Sequence, residues 1–288
     1  MKETGSAFAK VNISLDIISK MPDGYHDMLM VMQSVSLCDV VTVECVPGSG
    51  VKVETGLSYL PGDERNIAAK AALAFFAHTG IAGYETNIAI KKSIPVCAGL
   101  GGGSADGACV LRMLDRMFAT KLGLGALEKL AESVGSDVPF CISGGTRLAK
   151  GRGGMLTDLP PIPRCVIVIC KPHFAFSTPE LFSRIKSEKI RSRPDTDGII
   201  AALGRCDLSG VAMRMYNVFE DVLPRGERDI ADIKHSMLDN GALGAVMTGS
   251  GSAVFGIFSS EYDAQKACDL LKPNFESCFL TETTCKIM

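Results

Sequence analysis

The sequence predicts an α+β protein of two domains, and three observations carry that expectation. Short segments rich in Val, Ile and Thr, partly alternating polar with apolar, dominate the first half. Helical patterns stand among them without the strict strand–helix–strand alternation of a doubly wound sheet. Three prolines within 157–164 then precede a strongly apolar run, 165–170, and place a boundary that gives domains 1–158 and 159–288.

Strand signals cover 7–18, 39–46, 51–55 and 85–92. Between the last two, 66–79 is Ala-rich, and Gly80 beyond it supplies the residue suited to a left-handed helix cap. Helices are next expected at 104–118 and 125–134, the latter ended by Gly135. Past the prolines come helical patterns near 178–187, 196–204 and 226–240, a hairpin-like 244–258, and a closing helix and strand. A chain of 288 residues is long enough for two ordinary domains, each with its own core.

Composition narrows the classes. An apolar share of 47% with 22% charged residues is that of a soluble globular protein, and no apolar run approaches a membrane span. The first ten residues hold no apolar segment before their first charges, so neither a signal nor a transit peptide is expected and the location reads as cytoplasmic. A net charge of -2 argues against sequence-independent nucleic-acid binding. The eleven cysteines form no CxxC, and His26, His78, His173 and His235 stand apart from one another, so no protein metal site is expected. The cysteines read as reduced core residues.

The segment from Pro95 to Asp106 is the most informative. Gly99, Gly101, Gly102 and Gly103 let the backbone approach a ligand closely, and Ser104 and Asp106 stand where a helix begins. Free amides at a helix N-terminus and the positive end of its dipole stabilise an anion such as a triphosphate. No Lys follows the glycines, so the pattern GxxxxGK[ST] fails, and GxGxxG is not met either. A second glycine segment, Thr248 to Ser252, lies between strand-like runs and has two readings: a tight turn, or amides facing an anion across from the first loop. Lys10 and Asn12 interrupt an apolar strand on one face, which either points into a cleft or is a solvated outer face. Asp137, before Val138 and Pro139, is by itself an N-cap.

Together these segments resemble the ordered motifs of the GHMP kinase superfamily. The resemblance rests on Ala9 to Leu15 with Asp23-Gly24-Tyr25-His26, Pro95 to Asp106, Ser136 to Gly145 and Met247 to Phe255, and spans nearly the whole chain. The Asp-Gly-Tyr-His segment singles out the branch acting on a cytidine-diphosphate-linked branched polyol in the non-mevalonate route to isoprenoid precursors. Phe8 stands where Pro is usual, Ala105 and Gly107 where Ser and Ala are usual, and Ser252 where Pro is common. None of these departures removes a charged or nucleotide-facing group.

The resemblance implies a ribosomal protein S5 domain 2-like N-terminal domain and a ferredoxin-like C-terminal domain, with ATP and substrate in the cleft between them. It implies transfer of a phosphoryl group from ATP, with Mg²⁺, to the 2-hydroxyl of the polyol. The donor phosphates would lie along Pro95, Val96, Cys97, Ala98, Gly99, Leu100, Gly101, Gly102, Gly103, Ser104 and Ala105, with Asn66 and Lys92 near the adenosine. Asp137 would take the hydroxyl proton and Lys10 would act as its electrostatic partner. Asn12, Tyr25, His26, Thr178 and Phe182 would hold the acceptor, Tyr25 stacking on the base and Phe182 on its opposite face; core packing is the other reading of Phe182. A monomer or weak homodimer is expected. The rivals are another small-molecule kinase of the superfamily, acting on a mevalonate- or homoserine-like alcohol, and a non-catalytic nucleotide binder that kept the fold.

Overall fold

The structure, a computed structural model, describes residues 1–186, 189–224, 227–275, 277–285 and 287. Alternation in the first half folds into two long strands rather than several short ones. β1 (Lys2–Lys20) and β2 (His26–Pro47) run antiparallel along their length. β3 (Gly50–Glu54), β4 (Tyr84–Lys91), β5 (Thr146–Gly151) and β6 (Met155–Asp158) join them in a seven-stranded sheet. β2 is long enough to take two partners on one edge: β4 pairs with Val40 to Pro47, and β5 with Met28 to Gln33. Residues 159–165 then lead to β7 (Val166–Lys171) in a separate sheet. β8 (Tyr216–Asn217) returns to the first sheet, parallel to β1. β9 (Gly244–Met247), β10 (Val254–Phe258) and β11 (Ser277–Glu282) complete the second sheet, in the order β11-β7-β10-β9.

The helices are α1 (Ile67–Thr79), α2 (Gly102–Met117), α3 (Leu124–Glu132), α4 (Val138–Ser143), α5 (Thr178–Arg184), α6 (Thr196–Gly204), α7 (Leu208–Ala212), α8 (Glu227–Asp239) and α9 (Glu261–Leu271). α1 begins where the Asn66 side chain accepts from the Ala68 amide and ends where Gly80, at φ 71, caps it through the Phe76 carbonyl. The ends expected at 187 and 226 lie outside the described residues. α7 and a 3-10 turn over Val218–Val222 have no counterpart in the sequence reading, being too short to show a periodicity. None of the described helices is long and apolar enough to cross a membrane.

α1 and α2 meet closely because Gly107 has no side chain: a Cβ there would stand 2.9 Å from Cγ2 of Ile67. That contact accounts for glycine at a position where alanine would strengthen the helix. Phe75 is fully buried beside the edge-on pair of Phe76 and Phe118. The two sheets are sewn together by the bridge of Val35 to Thr283 and by the Thr284 amide donating to the Ser34 carbonyl at 3.0 Å. The cysteines are free, but not all lie in the core: Cys97, Cys206 and Cys285 are exposed, each in a connecting segment rather than a strand or helix.

Phe75→Ala is expected to lower the unfolding free energy by about 3–5 kcal/mol, because it empties a site with no solvent access. A urea titration followed by circular dichroism measures it.

Candidate active site

Lys92 to Gly101 leaves β4 and turns back into α2. Gly99 and Gly101 adopt positive φ, 77 and 70, and each has a packing reason as well. A Cβ on Gly99 would lie 2.0 Å from the Thr248 carbonyl oxygen, and one on Gly101 would lie 3.0 Å from the Lys10 stem. The helix starts at Gly102, two residues before Ser104, with Gly101 at the cap position and no side chain capping it. Ser104 and Asp106 are therefore inside the helix rather than at its cap. The amides of Gly102, Gly103 and Ser104 keep the free donors of a first turn and face no competing side-chain acceptor. They border a cavity of about 600 Å³ that Asn66, Pro95, Cys97 and Ser250 also line.

The second glycine segment does more than turn between β9 and β10: it lies against the first loop. The Ala253 amide donates to the Ala98 carbonyl at 3.2 Å, and the Thr248 hydroxyl donates to the Gly99 carbonyl at 3.3 Å. Asn217, buried, donates to the carbonyls of Met247 at 2.7 Å and Gly249 at 2.8 Å and so fixes the turn. Ser252, where Pro is common, places its hydroxyl on the Phe174 carbonyl at 2.5 Å.

Lys10 and Asn12 face inward. They are 3% and 0% exposed, because β1 is covered on both sides over its middle and a register shift falls on either side of the pair. The Lys10 ammonium donates to Asn12 Oδ1 at 2.7 Å and to the Gly99 carbonyl at 2.8 Å. Its remaining partner is Asp137 Oδ2 at 3.6 Å. Asp137 occupies the cap position of α4, yet its side chain makes no capping hydrogen bond, so the carboxylate is left for Lys10. Arg112, buried on α2, holds α4 from behind by donating to the carbonyls of Cys141 at 2.5 Å and Ile142 at 3.0 Å.

A second cavity, about 1200 Å³, lies beside Ser136 and Pro139 and is lined by Lys20, Tyr25, His26, Arg152 and Phe182. Thr178, first in α5, borders both cavities and shares a 2.7 Å hydrogen bond with Ser250. Tyr25 is 57% exposed, with the Arg152 guanidinium 3.7 Å above its ring, and Arg152 also pairs with Asp23. That hydrogen-bonded guanidinium holds the Asp23 carboxyl below its ordinary range. His26 and Phe182 stack on each other, ring centres 4.7 Å apart and planes at 24°, and Phe219 meets Phe182 edge-on at 5.0 Å. Phe182 packs against the core, one of the two readings open from sequence, and also lines the cavity. Desolvation, with the charge of Lys20 second, lowers the His26 imidazole below its usual value, so it is neutral at pH 7.

Two expected adenosine contacts are engaged elsewhere. The side-chain amide of Asn66 caps α1 and donates to the Pro61 carbonyl at 2.9 Å. The Lys92 ammonium lies between Asp39 at 2.5 Å and Asp106 at 2.7 Å, though both Asn66 and Lys92 border the smaller cavity. Arg152 and Asp39 were not singled out by sequence reasoning, and Asp106 and Thr248 entered it only as a helix-start residue and as the first residue of a turn. For Arg152 the available signal was a cation two residues from Lys150 in a Gly-rich hairpin, which is too common to select it.

The profile of the GHMP kinases N terminal domain matches residues 66–145 and that of the GHMP kinases C terminal matches 199–275. The chain belongs to the GHMP kinase family. It is 40% identical over 280 residues to the 4-diphosphocytidyl-2-C-methyl-D-erythritol kinase of Caldicellulosiruptor saccharolyticus, covering 97% of this chain and 96% of the relative. With the kinase of the same name from Acetivibrio thermocellus it shares 42% over 279 residues, 96% of this chain and 97% of the relative. Among solved structures, a 4-(cytidine 5'-diphospho)-2C-methyl-D-erythritol kinase superposes with a TM-score of 0.82 at 30% identity, covering 98% of this chain and 99% of that one. A homoserine kinase from Cytophaga hutchinsonii shares the fold, at a TM-score of 0.78 and 22% identity, covering 99% and 95%.

Gly99→Ala is expected to weaken ATP binding by about tenfold or more, since the added methyl meets the Thr248 carbonyl and the backbone there is left-handed. Isothermal titration of the variant against the parent protein measures the loss.

Proposed function

We propose that this chain transfers the γ-phosphoryl group of ATP to the 2-hydroxyl of 4-diphosphocytidyl-2-C-methyl-D-erythritol, giving the 2-phosphate and ADP, in isoprenoid precursor biosynthesis by the non-mevalonate route. One observation carries the reading: Lys10 reaches the Gly99 carbonyl on the wall of the smaller, glycine-lined cavity, while its partner Asp137 follows Ser136 on the wall of a larger one rimmed by aromatic rings and cations. Relatives whose printed names are those of such a kinase, each matched over nearly its whole length, support it.

The smaller cavity takes the nucleotide. Its helix-start amides receive phosphate oxygens, and the positive end of α2 favours their charge. Among the described residues no group of three or more His, Cys, Asp or Glu side chains is placed to hold a metal ion. Mg²⁺ therefore fits here as an ion that would be carried by the nucleotide's own phosphates rather than by a ligand set of the chain. When bound it neutralises charge on the transferring group.

The larger cavity takes the acceptor. Tyr25 offers a half-open ring face for the base, neutral His26 offers a hydrogen-bonding edge, and Arg152 and Lys20 place positive charge where a diphosphate would lie. Thr178 borders both cavities, and Asn12, fully buried, acts through Lys10, whose ammonium its Oδ1 accepts. The hydroxyl oxygen attacks the γ-phosphorus in line, the bond to the leaving ADP oxygen breaks, and Asp137 receives the hydroxyl proton. Lys10, already satisfied by Asn12 and Gly99, directs its remaining N–H toward Asp137 and the oxygens of the reacting phosphate. Domains 1–158 and 159–288, a cytoplasmic location and a monomer or weak homodimer complete the proposal.

ADP release that depends on the cytidine-diphosphate polyol tests the activity, and no such release overturns it. Asp137→Asn is expected to reduce kcat by about a hundredfold or more while the protein still binds ATP. Arg152→Ala is expected to raise KM for the polyol substrate about tenfold and to leave KM for ATP within error, as measured by coupled ADP assay.

A further inference from the structure

The nucleotide loop is anchored at both ends by one buried ammonium. Asp39, on β2 and fully buried, accepts the amides of Ser93 at 2.5 Å and Ile94 at 2.8 Å, the last two residues before Pro95. Its other oxygen takes the Lys92 ammonium at 2.5 Å. The same ammonium reaches Asp106 Oδ2 at 2.7 Å, early in α2, just after the loop ends. A Cβ on Gly102 would lie 3.4 Å from that ammonium, so the charge sits directly behind the first free amide.

We propose that Asp39, Lys92 and Asp106 form a positioning clamp that draws the two ends of the loop together, and that the proton on Asp106 sets how tightly the loop holds a polyphosphate. This rests on the reading of the smaller cavity as the nucleotide site. Two carboxylates against one ammonium leave a net negative charge in a buried place, and such a charge is costly. Asp106 is the member able to shed it. It is 3% exposed, and its Oδ1 has no hydrogen-bond partner among the described residues. Burial pushes its carboxyl up to about 7, against the pull of Lys92 and with Asp39 adding to the rise. Burial alone would lower Lys92, but Asp106 and Asp39 outweigh it and keep the ammonium charged.

The other groups around Asp106 do not compete for that proton. α1 presents Ile67 and Ala71 to this part of α2. The thiols of Cys109, on α2, and Cys141, on α4, are pushed up by burial to about 11 and about 12 and stay neutral. From β1, Lys10 is paired with Asp137 at the start of α4, and Glu128 of α3 is taken by Arg147 and Ser143. Below pH 7 the clamp is neutral. Above it, Asp106 ionises and adds negative charge beside the helix start, opposing a bound anion.

Isothermal titration with ADP between pH 6 and pH 8.5 tests this on the full chain. Taken as the ratio to Asp106→Asn, in which the nucleotide's own titration cancels, parent affinity is expected to fall about fivefold over that range. Equal pH slopes in the two proteins overturn the proposal. A second reading needs no variant: at pH 8, where ADP is fully ionised, binding is expected to take up protons, seen as a dependence of the heat on buffer ionisation enthalpy. Binding without uptake overturns the clamp alone. A parent protein that binds no ADP at any pH overturns the nucleotide-site reading and the clamp with it.

Discussion

The burial of the Lys10 ammonium is the constraint on which the site depends. A charge with almost no solvent access costs several kcal/mol unless its donors are all met. Here the partners come from three separate places: Asn12 on the same strand, the Gly99 carbonyl in the glycine loop, and Asp137 at the start of α4. Each must be in position for the ammonium to be tolerated, so the requirement of one side chain fixes a strand, a loop and a helix relative to one another. The proposed chemistry uses the geometry that this requirement produces.

A second constraint is steric. The two glycine segments interlock so closely that no side chain fits at Gly99; hydrogen bonds from Thr248 and Ala253 hold the joint, and Asn217 fixes the turn that carries them. Because Thr248 to Ser252 connects two strands of the second sheet, the glycine loop of the first part of the chain is shaped by the last part. Neither segment is a phosphate cradle by its own spacing alone.

Local features were legible in the sequence because local rules govern them. Asn66 and Gly80 bracket α1 as their types suggest, and the hairpin over the second glycine segment follows its flanking strands. Readings that depended on neighbours were not legible. The first-half strands came out too short, because β2 carries a second partner, β5, that its own composition does not reveal. The helix after the glycine loop begins two residues early, since Gly101 takes the left-handed cap that Ser104 was expected to replace. Asp137 takes the cap position its type suggests, yet its side chain caps nothing and its carboxylate faces Lys10 instead.

By itself the sequence determined where the backbone must bend and which segments could expose free amides, since glycine, proline and capping residues act within a few positions of themselves. It also carried the ordered motifs that place the chain in its family. The tertiary structure decided the rest: that a strand with polar residues on one face is buried on both, that Arg152 comes to lie over Tyr25, and that Lys92 is held by two carboxylates rather than left open to a ligand. These outcomes follow from burial and charge pairing between distant segments. Such energies do not exist until the segments meet, so no reading of neighbours along the chain contains them.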